Sequence, residues 1–241
     1  MTGTLPVVRL GGPVSNVWLL PKTPDGPVLV DAGFSTAWPG IVAGLKARGL
    51  RPRDLTAVLL THRHLDHAGN APLLGWHGVP VHAHGRDAAM LTGDAASPRL
   101  LGRPGPVAVM CAMENHIPHR LERVAPMADG DRIAGLEVIH APGHTVGSCL
   151  LYHRSSGTLF TGDALINAVP PYVTREALSL PFPDFCDDYP RALDSLRRLV
   201  ASDLDIRRLC TGHGRERRGP MREALIALLD AVPWSPCPLP S

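Results

Sequence analysis

Apolar residues in this chain fall into short runs separated by turns that are rich in glycine and proline. Such runs, several of them with β-branched residues, are typical of β-strands. We predict strands at residues 5–10, 15–20, 27–30, 56–60, 79–83, 135–141, 147–153, 158–160 and 206–210. Tight turns join the first three, which therefore predict an antiparallel meander.

Helical spacing of apolar positions occurs between and after these strands. We predict helices at residues 37–48, 86–91, 189–200 and 220–232, and a further helix that begins at Asp66. Gly49 closes the first of these helices, and Pro220 suits the first turn of the last. The pattern indicates two strand-rich halves with flanking helices.

Two long stretches lack any regular pattern. Residues 92–127 are interrupted repeatedly by proline, and residues 164–190 are rich in proline and aromatic side chains. Segments of this length inside a compact domain are functional or carry short helices, so we predict that both flank an active-site cleft. We interpret His116 and His119, in the first stretch, as surface residues. Residues 1–241 are predicted to form a single domain.

Composition excludes several classes of protein. The chain has 241 residues and a formal net charge of +2, so charge gives no indication of a nucleic-acid partner. Neither a secretory signal nor an apolar run of membrane-spanning length occurs, which predicts a cytoplasmic protein without a membrane partner. The cysteines are widely spaced and form no Cys-x-x-Cys motif, which argues against disulfides and against a cysteine zinc site. The cysteines, interpreted as reduced thiols, are Cys111, Cys149, Cys186, Cys210 and Cys237.

The strongest chemical signal follows the predicted strand at residues 56–60. There the chain places His62, His64, Asp66 and His67 within six positions of one another. Imidazole nitrogen and carboxylate oxygen are the ligands that suit zinc and similar first-row metal ions. His62 and His64 point the same way from an extended segment, and the next two turn toward a different point. One stretch could therefore begin two metal sites.

Three more candidate ligands occupy equivalent settings. His144, Asp163 and His213 each follow a predicted strand, and each comes directly after a glycine. Glycine lets the backbone approach closely at such points. With the first cluster they make seven candidate ligands. The histidines that lack this setting are interpreted as structural: His77, His82, His84, His140 and His153.

These motifs, taken in order, resemble those of the metallo-β-lactamase-fold hydrolases. They are His-x-His-x-Asp-His at residues 62–67, Pro-Gly-His-Thr at 142–145, Thr-Gly-Asp at 161–163 and Thr-Gly-His at 211–213. The resemblance implies an α+β fold, a four-layer αββα sandwich of two mixed sheets with helices on both outer faces. It also implies that His62, His64 and His144 bind one metal, that Asp66, His67 and His213 bind a second, and that Asp163 bridges them.

The implied chemistry is hydrolysis by a metal-bridging hydroxide. Two divalent ions lower the pKa of the water between them and polarise a substrate carbonyl. We expect zinc, with iron and manganese as alternatives. Asp66 has the implied catalytic role of general acid and base, because it can accept a proton from the nucleophile and pass it to the leaving group.

At several positions this chain differs from individual branches of the family, and these differences reduce the range of expected substrates. Asp163 stands where one class of β-lactamases has a cysteine ligand, and residues 162–172 lack the Gly-Cys-Gly-Arg segment of glyoxalase II and persulfide dioxygenases. The chain after His213 also has little room for the helical domain of glyoxalase II. The Gly-Asp-Ala start and Tyr172 are similar to the lactonase branch, and Tyr172 could donate to an oxyanion or serve in packing.

We therefore expect a hydrolase of small esters, thioesters or lactones whose partner is a small-molecule substrate. A mononuclear iron persulfide dioxygenase is the alternative enzyme, and a non-catalytic zinc-binding protein on the same fold is the alternative of another class. The oligomeric state is open, with a homodimer among the options.

Overall fold

The computed structural model describes residues 6–11, 14–100, 106–117, 119–168 and 176–231. In these parts of the chain the strands form two sheets of six strands each. In both sheets the strands lie side by side in chain order. Each half of the sequence therefore builds its own sheet.

The first sheet combines an antiparallel meander with a parallel segment. Its strands are β1 (Val8–Arg9), β2 (Trp18–Thr23), β3 (Gly26–Val30), β4 (Ala57–Leu59), β5 (Val81–His84) and β6 (Ala125–Met127). The pairs from β1 to β3 are antiparallel, which confirms the predicted meander, and those from β3 to β6 are parallel. Parallel neighbours need a crossover, and helices supply it here.

The second sheet is antiparallel apart from one pair. Its strands are β7 (Arg132–Ile133), β8 (Leu136–His140), β9 (Cys149–His153), β10 (Thr158–Gly162), β11 (Arg208–Thr211) and β12 (Arg217–Arg218). Strands β10 and β11 run parallel, so their carboxyl ends lie at the same sheet edge. The motifs that contain Asp163 and His213 begin at those two ends.

Three separate apolar cores show how the layers stack. The helices in chain order are α1 (Trp38–Lys46), α2 (Leu65–Ala68), α3 (Ala71–Trp76), α4 (Gly85–Thr92), α5 (Pro106–His116), α6 (Tyr189–Ala201) and α7 (Met221–Asp230). The central core joins the inner faces of the two sheets, with Trp18 and Leu59 from one against Leu151 and Phe160 from the other. A second core packs α1, α3 and α4 on the first sheet, and a third packs α6 and α7 on the second. This confirms the αββα sandwich.

The structure departs from the predicted elements in a few places. The first irregular stretch contains α5, an 11-residue helix whose first residue is Pro106. Proline is tolerated at that position because a backbone N–H in the first turn has no partner within the helix. The helix predicted from Asp66 is two short helices, separated where Asn70 leaves helical geometry with φ −99° and ψ 3°. Pro220 precedes α7 rather than occupying its first turn. Tyr172 and Cys237 lie outside the described residues.

Candidate metal centre

The seven predicted ligands come together at one edge of the two sheets. Strand β4 leads into the His-rich loop, and the turns after β8, β10 and β11 carry His144, Asp163 and His213. The backbone N–H of Cys149 in β9 donates to the carbonyl of Thr61 at 2.9 Å, which joins the His-rich loop to the second sheet. All except Asp66 are buried.

His62, His64 and His144 form the first donor group. One ligand atom of each lies within 4.8 Å of those of the others, and the Nε2 atoms of His62 and His144 are 3.2 Å apart. Burial, reinforced by the neighbouring histidines, holds the pKa of His62 and His64 well below the ordinary value. Burial likewise lowers the pKa of His144 to about 4. Neutral imidazoles with free lone pairs result, and these are the form that binds metal ions.

Asp66, His67, Asp163 and His213 form the second donor group, which is equally compact. Asp163 Oδ1 lies 3.1 Å from His67 Nε2, and Asp163 Oδ2 lies 3.0 Å from His213 Nε2. Burial alone would lower the pKa of His213, but the Asp163 and Asp66 carboxylates outweigh it and raise that pKa to about 10. The two carboxylates therefore favour positive charge at this point, which a bound cation would supply in place of the imidazolium proton.

Unsatisfied polar atoms test whether these residues fit a metal. Among the described residues, His64 Nε2, His67 Nε2 and Asp163 Oδ1 are buried and form no hydrogen bond of acceptable geometry, although the last two atoms are 3.1 Å apart. Leaving such a group unpaired costs about 1–3 kcal/mol, so natural proteins rarely retain three together without a reason. Each is a nitrogen or oxygen donor within one of the two groups, so metal ions in these positions would satisfy all three.

Asp31 orients the His67 ring through the nitrogen that faces away from the donor group. It follows β3 in a left-handed conformation with φ 62°, and its carboxylate accepts from the Thr61 N–H at 2.7 Å. The same carboxylate lies 2.9 Å from His67 Nδ1, which leaves Nε2 directed at the second donor group. Such partners fix the tautomer and orientation of metal-binding histidines. Sequence reasoning missed this residue, although its place at a strand end was a usable signal.

The other histidine orientations are set by oxygen atoms. Thr61 Oγ1 lies 3.1 Å from His62 Nδ1, and the Val14 carbonyl lies 2.6 Å from His213 Nδ1. In both rings Nε2 therefore faces the centre. His144 Nδ1 has the Cys186 thiol at 3.7 Å, a contact that the sequence did not indicate.

Asp87 ties two of the ligand-bearing loops together. This fully buried carboxylate accepts from the N–H of Arg63 at 2.9 Å and from the Thr145 hydroxyl at 2.6 Å. It also accepts from the N–H of Gly147 at 2.9 Å. The His-rich loop and the Pro-Gly-His-Thr loop are thus held in a fixed relation. Nothing in the sequence around Asp87 marked it.

Arg63 connects the His-rich loop to a third segment. Its guanidinium forms two hydrogen bonds of 2.9 Å with Asp187, and it lies 3.7 Å from Asp87. The Arg63 and Asp187 side chains are only 3% and 4% exposed. Paired planar contacts of this kind add geometric specificity, so the position of residue 187 beside the centre is fixed by this pair.

The glycines before the ligands are required by close approach. A Cβ on Gly212 would lie 2.1 Å from Asp163 Oδ1 and 2.6 Å from His67 Cε1. A Cβ on Gly143 would lie 2.1 Å from the backbone nitrogen of Ala192, and this glycine has φ +136°. The second donor group therefore packs directly on bare backbone at Gly212.

The remaining histidines lie away from both donor groups. His116 is exposed, and His119 contacts the carbonyls of Ile117 and Arg63. His84 stacks on His140 with ring centroids 3.9 Å apart, and His77 stacks on Trp38. His153 Nδ1 lies 2.7 Å from the Ser156 hydroxyl. Among the described residues, neither donor group includes any of these histidines.

Comparison with known proteins places the chain in a family. Residues 10–213 match the model of the metallo-beta-lactamase superfamily. "Probable metallo-hydrolase YflN" of Bacillus subtilis is 30% identical over 215 residues, which cover 83% of this chain and 81% of that protein. The acyl-coenzyme A thioesterase MBLAC2 of Gallus gallus is 34% identical over 63% of this chain and 57% of its own length. A hydroxyacylglutathione hydrolase of Cereibacter sphaeroides is 31% identical over 72% of this chain and 52% of its own length.

Solved structures agree with the αββα architecture. The metallo-beta-lactamase family protein TTHA1429 of Thermus thermophilus superposes with a TM-score of 0.70 at 25% identity, covering 94% of this chain and 78% of that one. TTHA1623, solved in a di-iron-bound form, superposes with a TM-score of 0.61 at 30% identity, covering 88% of this chain and 93% of that one. Within the described residues, none of the helices combines the length and apolar character that a membrane crossing requires. The chain belongs to the metallo-beta-lactamase superfamily, as a metal-dependent hydrolase.

Proposed function

We propose that this protein is a dinuclear metal-dependent hydrolase that cleaves an ester, thioester or lactone bond of a small molecule. The observation that carries the proposal is the presence of two complete donor groups side by side in one buried site. They are His62, His64 and His144 in the first group, and Asp66, His67, Asp163 and His213 in the second. A mononuclear enzyme would need only one of them.

The donor chemistry favours zinc, with iron and manganese as alternatives. Imidazole and carboxylate suit zinc and iron alike, and the di-iron form of TTHA1623 supports iron as an alternative. When bound, such ions supply a water of lowered pKa and polarise the carbonyl under attack. Asp163, with one oxygen near His67 and the other near His213, is the residue proposed to bridge the two positions.

Asp66 is the proposed general acid and base. Its side chain is 24% exposed, whereas that of Asp163 is 10% exposed, so it is the carboxylate of the site that a substrate can reach most readily. Burial would raise the pKa of Asp66, but His67 and His213 outweigh this and lower it, which keeps the carboxylate ionised. An ionised carboxylate here can accept the proton of the attacking water and return it to the leaving oxygen or sulfur.

The bond type is inferred from the relatives and from the site. The acyl-coenzyme A thioesterase and the hydroxyacylglutathione hydrolase carry thioester chemistry in their names, and both match the chain with more than 30% identity. Esters and lactones share the same electrophilic carbonyl and the same oxyanion on attack. A thioester is therefore the first substrate class to test, followed by esters and lactones.

The proposal is tested by metal analysis and a hydrolysis panel on protein purified without chelator. We expect about two equivalents of metal per chain and turnover of at least one thioester, ester or lactone. Less than one equivalent would contradict the dinuclear site. Full loading without turnover across the panel would favour a non-catalytic protein, and iron with sulfur-dependent oxygen uptake would favour a persulfide dioxygenase.

Substitution of Asp66 tests its role. Asp66→Asn is expected to lower kcat by about 10²–10⁴-fold, the usual contribution of a positioned acid or base. Asp66 also belongs to the second donor group, so the substitution can lower the metal content as well. The metal content of each sample is therefore measured, and kcat is compared between samples that hold the same amount of metal. Asp25→Asn, on an exposed turn, is the matched control and should leave kcat unchanged. Equal kcat for Asp66→Asn and this control at full loading would exclude the proposed role.

A further inference from the structure

A cavity of about 390 Å³ lies beside the metal centre, between the end of α4, residues 95–99 and α5. Two of its lining residues also support the His-rich loop. Arg63 lies between His62 and His64 in the chain, and a Glu114 oxygen accepts from the Leu65 N–H at 2.6 Å. The cavity therefore shares a wall with the loop that carries four of the seven candidate ligands.

Basic side chains dominate the lining of this cavity. Arg63, Arg99 and Arg120 line it, whereas Glu114 is the acidic residue among its lining side chains. Asp187 and Asp87 already balance Arg63 from outside the cavity. Within the described part of the chain, Arg99 and Arg120 form no ion pair, and both are exposed. Their positive charge is thus available to a ligand.

The fold holds these two arginines at the cavity. The Arg120 guanidinium lies against Gly93, where a Cβ would be 2.8 Å from its central carbon, so the contact depends on the missing side chain. Asn115 exchanges two hydrogen bonds with the backbone of Leu100, at 3.0 and 2.8 Å, which anchors the segment that carries Arg99 onto α5. Both positions are built by specific contacts.

His119 lines the same wall of the cavity and is anchored there by two backbone carbonyls. Its Nδ1 lies 3.1 Å from the Ile117 carbonyl and its Nε2 lies 3.0 Å from the Arg63 carbonyl. These contacts hold the imidazole ring against the loop that carries Arg63.

We infer that this cavity is a subsite for an anionic oxygen group, a phosphate or carboxylate, carried by the substrate at a distance from the carbonyl that is cleaved. The inference rests on the proposed function, which puts the reacting carbonyl at the adjoining donor groups. Arginine is suited to such groups because its planar fork pairs with two oxygens at once. The preferred substrates are then thioesters or esters with an anionic substituent.

Three butyryl thioesters with the same acyl group provide the kinetic test. Their thiols are N-acetylcysteamine, which is neutral, 3-mercaptopropionate, which carries a carboxylate, and 4′-phosphopantetheine, which carries a phosphate. In the double variant Arg99→Gln, Arg120→Gln we expect KM for a charged thioester to rise about tenfold, since exposed ion pairs are individually weak. KM for the neutral thioester and kcat for all three should change little. The carboxylate and phosphate arms show which group the subsite prefers.

The matched control is Arg222→Gln, which removes an exposed arginine from α7 on the other side of the sandwich. Equal KM changes for the neutral and charged thioesters, or no difference between the double variant and this control, would overturn the inference.

Binding of inorganic phosphate and of propionate, measured by calorimetry on the same metal-loaded proteins, gives a readout that needs no turnover. Anion binding at the metals is common to all variants, so only the difference between the double variant and Arg222→Gln counts. If the protein hydrolyses none of the thioesters but the double variant binds the anions more weakly than the control, the subsite is supported and the proposed function is contradicted. If the double variant and the control bind the anions equally well, the subsite is contradicted, whatever the activity.

Discussion

Asp163 is the side chain that faces both donor groups. Its oxygens lie 3.1 Å from His67 Nε2, 3.0 Å from His213 Nε2 and 3.9 Å from His144 Nε2. The histidines hold its pKa well below the ordinary value against the opposing effect of burial. An ionised carboxylate in this position can be shared between two cations, whereas each histidine can serve only one.

Substitutions at Asp163 and His213 are therefore expected to differ. Asp163→Asn removes the shared charge and should weaken the binding of both metals, whereas His213→Ala should weaken mainly one. Metal equivalents after gel filtration, followed by titration of each variant with zinc, would measure this. Retention of two tightly bound metals by Asp163→Asn would contradict the bridging role.

Asp31 provides a second prediction at the residue scale. Asp31→Asn replaces the carboxylate that accepts from His67 Nδ1 and from Thr61, so the His67 ring loses its fixed orientation. We expect metal affinity to fall by about 10–100-fold, the usual effect of removing such a partner. Competition with a chromophoric chelator would measure it. Asp25→Asn should match the unsubstituted protein, and the same affinity for both variants would show that Asp31 does not act through His67.

At the scale of the elements, the site is made of strand ends and the turns that follow them. Each strand places its last residue at the sheet edge, and the next residues leave the sheet through tight turns. Gly162, with φ +48°, leaves room for the Thr61 side chain, and Gly212 leaves room for Asp163 and His67. The turns must therefore remain narrow for the donor groups to stay together.

Gly212→Ala tests this requirement. Its Cβ would overlap Asp163 Oδ1 at 2.1 Å, so the turn or the carboxylate must move, with an expected loss of about 1–3 kcal/mol in unfolding free energy and weaker metal binding. Gly75→Ala in α3 is the control, since its Cβ would meet nothing within 4 Å. That change should be neutral or should stabilise by roughly 0.5–1 kcal/mol. Chemical denaturation of both variants, with and without metal, would show the contrast.

Across the whole molecule, local signals predicted the elements and the seven candidate ligands, and long-range contacts were missed. The ligands stand in short motifs at strand ends, and periodicity was enough to place those ends. Asp31, Asp87 and Asp187 reach their partners across 30, 58 and 124 positions of sequence. Their partners come close only when the two sheets pack. The sequence near Asp87 and Asp187 therefore did not mark their roles, and for Asp31 the only local signal was its place after β3. Short helices were one option for residues 92–127, but α5 could not be located there because the surrounding prolines obscured its pattern.

Metal removal should lower the stability of the whole fold, because the site joins both sheets. Without metal, three buried polar atoms in the centre stay unpaired. At a free metal concentration a thousandfold above Kd, binding stabilises the native state by about 4 kcal/mol, which corresponds to roughly 10 °C in Tm for a chain of this size. Calorimetry before and after chelation, then after addition of zinc, should show this shift and its reversal. His116→Ala, outside the centre, should show the full shift and Asp163→Asn a smaller one; equal Tm for loaded and chelated protein would mean that metal binding is not coupled to folding.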